Sequence, residues 1–187
     1  MKLTHLLFVL SIFSLAACGD DDGSSGNLDM LSYDGDNASA PELAPGIHQL
    51  AVRFPASYLK DAVGKKLYEV EAFLAPGAVS YKLLVRDRGT SSSPGVVLFE
   101  KDITANVDVQ KWVITKVDPP LEITGEDLWI AIEVDHNATA QTIGCDSGPR
   151  KEGGDWIWDS ITQNWETFLG RTGTESVNWN IRGHLQD

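Results

Sequence analysis

Cysteine is nearly absent, with two in 187 residues, so no disulfide framework holds this chain and its core must come from apolar packing. Cations are scarce as well. Fifteen Lys and Arg stand against 27 Asp and Glu, a formal net charge of −12, and so acidic a surface repels the phosphate backbone on which nucleic-acid binding depends. DNA and RNA are excluded as partners. No apolar run reaches the ~20 residues that a lasting membrane-spanning helix needs. No paired-carboxylate or nucleophile-triad phrase appears, and no two histidines stand at zinc-ligand spacing, which ranks a hydrolase last and predicts a non-enzyme. What is present is a composition 42% apolar and 22% charged, which suits one folded domain.

The front of the chain has the layout of a secretory signal: Lys2, an apolar run from Leu6 to Leu15, then small residues. Leu15-Ala16-Ala17-Cys18 resembles a bacterial lipobox, which implies cleavage after residue 17 and a lipid on Cys18. An ordinary signal with an incidental cysteine accounts for the same residues. Residues 18–27 then hold Asp20, Asp21 and Asp22 among Gly and Ser, with nothing apolar to bury, and are read as a solvated tether. An acidic run so close to a lipidated cysteine is similar to the export signal that sends lipoproteins of some Gram-negative anaerobes to the outer face of the outer membrane. The expectation is a surface-exposed outer-membrane lipoprotein that touches the membrane through its anchor alone.

Residues 28–187 contain no charge block, repeat or low-complexity run that would divide them, and are expected to form one domain. Apolar residues alternate at Leu50, Val52 and Phe54; at Tyr68, Val70, Ala72 and Leu74; at Val79, Tyr81, Leu83 and Val85; and at Leu128, Ile130, Ile132 and Val134. Period two predicts strands with one face buried. Trp179 and Ile181 continue the pattern, with Asn178, Asn180 and Arg182 facing the other way, and shorter strands are expected at 96–99, 112–117 and 156–158. Turn formers such as Ala75-Pro76-Gly77 and Ser93-Pro94-Gly95 separate them. Only Pro55 to Gly64 reads as helical, for a turn or two. One short helix cannot cover a parallel sheet on both faces, so the fold class is all-β: an antiparallel two-sheet β-sandwich, with jelly-roll topology favoured.

Several phrases add a resemblance: Val52-Arg53-Phe54-Pro55-Ala56-Ser57-Tyr58-Leu59, Asp127-Leu128-Trp129-Ile130, Gly144-Cys145-Asp146-Ser147-Gly148-Pro149, Gly154-Asp155-Trp156-Ile157 and Asn178-Trp179-Asn180-Ile181-Arg182. Together they resemble the jelly-roll domains of surface proteins and secreted peptidases of anaerobic Gram-negative bacteria, related to the cleaved adhesin domains of the gingipains. The resemblance implies a non-catalytic sandwich for adhesion, binding a glycan or an extracellular protein, in some members with structural calcium.

Asp34-Gly35-Asp36-Asn37 places oxygen ligands two apart around a glycine, as Ca²⁺ favours, and Asp146 is a further donor, although a solvated turn explains the same residues. No other cofactor is expected. Cys145 could pair with His48, His136 or His184 as a nucleophile, but it has no nucleophile signature around it and is read as a small packing residue. Trp129 and Trp179 are expected in the core. Trp156, Trp158 and Trp165, close to Asp155 and Asn164, allow two readings: rings held in water to stack on a sugar, or a hairpin that turns Trp156 and Trp158 inward. An accessory role, docking to another envelope protein by a sheet edge, is the competing function.

Overall fold

The computed structural model describes residues 28–187; Cys18 and everything else in residues 1–27 lie outside the described residues. In chain order the elements are β1 (Met30–Leu31), β2 (Gly46–Phe54), α1 (Ala56–Leu59), β3 (Lys66–Leu74), β4 (Ser80–Arg86) and β5 (Val97–Asp102). They continue with β6 (Lys111–Glu122), β7 (Leu128–His136), β8 (Trp156–Asp159), β9 (Glu166–Thr167), α2 (Phe168–Thr172) and β10 (Ile181–Gln186). Two sheets result, a four-stranded one in the order β1-β10-β3-β6 and a six-stranded one in the order β5-β4-β7-β2-β8-β9.

The pairing is nested: β4 with β5, β3 with β6, β2 with β7 and β1 with β10, all antiparallel. Consecutive pairs fall in alternate sheets. A long hairpin rolled so that its pairs alternate between two layers is a jelly roll, so the expected topology is the one found. β8 and β9 extend it at the β2 edge.

Alternation works as read. Leu50, Val52, Phe54, Leu83, Val85, Ile130, Ile132, Val134 and Ile157 from the large sheet meet Val70, Ala72, Val113, Val117 and Ile181 from the small one in a single core. Four positions differ. The register between β3 and β6 shifts between Leu67 and Glu69, so Leu67 takes the inward place expected for Tyr68, which is half-buried. Val79 precedes β4 and is exposed. Asn178 and Asn180 are buried, because loops cover that face.

Pro55 sits just before α1 in extended conformation, and the turn ends at Gly64 with φ +89°, which glycine adopts without a Cβ clash. The second short helix, α2, was hidden in sequence because it is a single capped turn, with Thr167 accepting from the Gly170 N–H at 3.0 Å.

Residues 28–45 form a strap across the sandwich. β1 pairs with β10, the Tyr33 ring stacks on Phe54 with centroids 5.0 Å apart, and Ser39 and Leu43 bridge to Cys145 and Ala140.

Candidate functional site

The outer face of the six-stranded sheet carries the tryptophans. In β8 the small inward residue is Ile157, so Trp156 and Trp158 share one face, and that face points away from the core, not into it as the hairpin reading had it. Registers across the sheet line up three rows on this side. Trp158 lies beside Gln49, then Glu133, then Lys82; Trp156 beside Ala51, then Ala131, then Leu84; and Arg53 beside Trp129, then Arg86.

The middle row, with Trp129 from the third, forms a second, smaller core. Ala51, Leu84, Trp129 and Ala131 are buried there, with Trp156 and Trp165 packed against them. Trp129 is its centre, 5.2 Å from the Trp156 ring and 5.8 Å from Trp165 between centroids. Trp165 arrives from the β8–β9 loop. Asp159 turns that loop by accepting from the Ile161 and Thr162 N–H groups at 2.9 and 2.8 Å, and Gln163 completes it at φ 52°. Trp129 is buried as expected, but on the outer side of the sheet.

The first row is different. Trp158 is half-buried and its neighbours are polar. Gln49 Nε2 donates to Glu133 Oε2 at 2.7 Å, Lys82 Nζ bridges Glu133 and Glu100 at 3.3 and 3.2 Å, and Arg86 Nη2 reaches Gln49 Oε1 at 3.5 Å. Hydrogen bonds to Glu100 and Glu133 raise the Lys82 pKa. The result is a half-buried indole next to a strip of carboxylate and ammonium groups that the buried Gln49 amide helps to fix. Gln49, Glu133, Lys82 and Arg86 were not singled out in sequence. Their signal was parity, since each stands opposite the apolar residues of its strand.

The remaining expected ligand-binding residues separate from this strip. Asn164 is exposed on the turn before Trp165. Asp155 is fully buried; Arg150 Nε donates to its Oδ1 at 2.6 Å and the Leu169 N–H to its Oδ2 at 3.1 Å, so it fastens a loop to α2 instead of offering oxygens to a ligand.

Of the residues named for calcium, Asp34 and Asp146 come to one corner and Asp36 stays exposed. Asp34 accepts from Arg182 Nε at 3.1 and 2.9 Å and from Asn180 Nδ2 at 2.8 Å. Asp146 accepts from the N–H groups of Gly148 and Asn178, from Asn178 Nδ2 and from the Gly35 N–H. Those donors hold its carboxyl below the usual range despite burial, which acts in the opposite direction. The three do not fit a calcium ion, which takes about 6–8 oxygens with free lone pairs. The guanidinium of Arg182 stands as the cation instead, and it also lies 4.1 Å over the Trp112 ring. Among the described residues no three His, Cys, Asp or Glu side chains are placed to hold a metal ion.

Cys145 is buried, and burial followed by the nearby charges of Asp146 and Glu175 pushes its thiol up to about 11. A thiol so shifted stays protonated at neutral pH.

His48 and His136 meet inside the sandwich, centroids 5.7 Å apart, both buried. His48 Nε2 bonds the Ala44 carbonyl oxygen and His136 Nε2 bonds Thr142 Oγ1. Burial, then the charge of His48, lowers the His136 pKa, with the Leu43 and Ala44 backbone carbonyls and then Asp135 acting the other way. A base whose folded pKa lies below its unfolded value, about 6.5, binds more protons when unfolded, so stability is intact above that pH and falls below it. Melting temperature should therefore be flat near neutrality and decline from about pH 6.5 downward, before carboxylate protonation begins. In His136→Gln the decline between pH 6.5 and 5 should shrink; an unchanged profile would refute the assignment.

Comparisons place this geometry. No protein-family model matches the chain, and no curated protein matches it. Among solved structures, a clostridial cysteine protease, Cwp84, after propeptide cleavage, is similar with a TM-score of 0.58 at 9% identity, covering 86% of this chain and 41% of that one. A structure of the cysteine protease and lectin-like domains of Cwp84, a surface layer associated protein of Clostridium difficile, is similar with a TM-score of 0.54 at 9% identity, covering 83% of this chain and 37% of that one. The chain thus spans about two fifths of the neighbours' length. What the likeness shows is the fold, a β-sandwich.

Proposed function

We propose that the chain is a non-catalytic binding lipoprotein whose sandwich takes an extended glycan along the Trp158 strip. The observation that carries this is the cross-strand row from Trp158 through Gln49 and Glu133 to Lys82. The apolar face of a pyranose stacks on an indole while carboxylate and ammonium groups such as those of Glu133 and Lys82 take its hydroxyls. An open strip of this kind suits a chain lying across strands more than a small molecule held in a cavity. A lectin-like domain within one of the similar structures supports a binding role, and the protonated, buried thiol of Cys145 supports a non-catalytic one. No cofactor is needed for this recognition.

A glycan-array screen of the purified chain tests the reading directly. Trp158→Ala should weaken binding of any hit by about tenfold or more, on the order of 1–3 kcal/mol, with the melting temperature nearly unchanged. Trp156→Ala should instead destabilise the fold, because its ring covers Trp129. A hit whose affinity ignores Trp158 would sink the proposal.

We propose further that the protein is held on the outer-membrane surface by a lipid on Cys18, a reading supported by Leu15-Ala16-Ala17-Cys18 and by Asp20 to Asp22. Mass spectrometry of the native amino terminus should find lipid-modified Cys18 as the first residue. A free thiol there, or another start, would remove the anchor.

A further inference from the structure

The far edge of the six-stranded sheet, across from β8, is β5, which pairs on one side only, with β4. A single-sided strand offers a row of unused backbone N–H and C=O groups, which proteins usually guard with charge. Glu100, Lys101 and Asp102 guard the second half of β5. The first half is bare: Val97 and Leu98 are 41% and 47% exposed, and Val96 just before them is 66% exposed.

Directly beside this bare half opens a cavity of about 220 Å³, walled by Leu98 together with Leu59, Ile123 and Leu128. Four carboxylates, Asp87, Glu122, Glu126 and Asp127, stand around it with Arg88. Glu126 is paired with Arg88 at 3.0 Å and Asp127 with Arg53 at 2.6 Å, whereas Asp87 and Glu122 make no ion pair among the described residues. The rim is therefore left negative.

We propose that β5 is a docking edge for an extended segment of another polypeptide, which adds as a further strand, sets an apolar side chain in this cavity and presents Lys or Arg to Asp87 and Glu122. Backbone pairing supplies the affinity, the cavity fixes the register and the acidic rim selects the charge. The site lies at the sheet edge beyond Lys82, where the Trp158 strip ends, and its cavity shares no residue with that strip.

The test uses the whole chain and two labelled peptides, Lys-Val-Lys-Leu-Lys-Val-Lys and its counterpart with Glu in place of every Lys, at about 0.15 M salt to suppress long-range attraction. The lysine peptide should bind saturably, about tenfold or more tighter than the glutamate peptide, and should slow hydrogen exchange at residues 96–99. Leu98→Ser, on an exposed position, should weaken it about tenfold, and Asp87→Asn with Glu122→Gln should erase the preference for the lysine peptide. Trp158→Ala should leave peptide binding untouched, which separates this site from the glycan strip. Equal binding of both peptides, or protection at any other segment, overturns the proposal. So does sedimentation showing that the chain alone self-associates with residues 96–99 protected, since the occupant would then be a second copy.

Discussion

Replacing Trp179 by alanine is expected to remove about 3–5 kcal/mol of folding stability and to lower the melting temperature by about 10 °C or more. The ring has no exposed surface. Its Nε1 donates to the Trp156 carbonyl oxygen at 2.8 Å, its backbone N–H donates to the Gly154 carbonyl at 2.8 Å, and its face meets Phe168 of α2 with centroids 5.0 Å apart. Truncation therefore opens a cavity, strips a buried carbonyl of its donor and loosens β8, α2 and the Cys145 bridge together. Calorimetric or urea unfolding decides the matter. A loss below about 1 kcal/mol would mean that the surroundings collapse to fill the space.

A cost of similar size is expected from Arg182→Met. The Asp34 side chain has no exposed surface, and Arg182 supplies most of its hydrogen bonds while also reaching Glu71 at 3.1 Å. Burial alone would lower the Arg182 pKa, but the two carboxylates outweigh it and hold the guanidinium fully charged. Methionine keeps much of the side-chain bulk over Trp112 and deletes the charge. That strands the Asp34 carboxyl in a closed corner without its partner, a situation that costs about 3–5 kcal/mol where one partner of a buried pair is removed. Adding Asp34→Asn to the same chain should recover a substantial part of the loss, because the stranded carboxyl is gone. If the double variant is no more stable than Arg182→Met alone, the corner is held by packing and not by charge.

Most of the sandwich was legible because alternation is a direct record of which side chains share a face. Leu50, Val52 and Phe54 or Ile130, Ile132 and Val134 needed no further information. Alternation does not record which face a distant loop will cover. Trp129 was readable as buried, yet its burial on the outer side depends on Trp165 folding back from a turn that Asp159 closes, and nothing local to Trp129 announces it. The two readings of Trp156 and Trp158 failed to separate for the same reason. One held the rings in water on a loop and the other turned them inward on a strand, and only the inward place of Ile157 shows a strand with both rings facing out. At the acidic corner the difficulty was chemical. Asp34 and Asp146 present the same oxygens to a calcium ion and to a guanidinium, and Arg182 lies almost 150 positions along the chain from Asp34. The strip beside Trp158 was built from Gln49, Lys82 and Glu133 on three strands, so pairing order had to be known before the residues could be seen as neighbours.

The strap formed by residues 28–45 has a mechanical meaning. It is fixed at successive points: β1 on two residues of β10, Asp34 on Arg182, the Gly35 N–H on Asp146, Ala38 and Ser39 on the Cys145 carbonyl, and Leu43 on Ala140. Tension entering through residue 28 reaches these fasteners one after another, β1 on β10 first and the guanidinium clasp next, and each step also draws a core side chain, Leu31, Tyr33 or Leu43, out of its place. Such a segment yields in steps and lengthens as it yields. A domain pulled from its amino end in flowing liquid would spend that strain on some eighteen residues of slack, at about 3.3–3.6 Å per residue when extended, before the pull reaches β2.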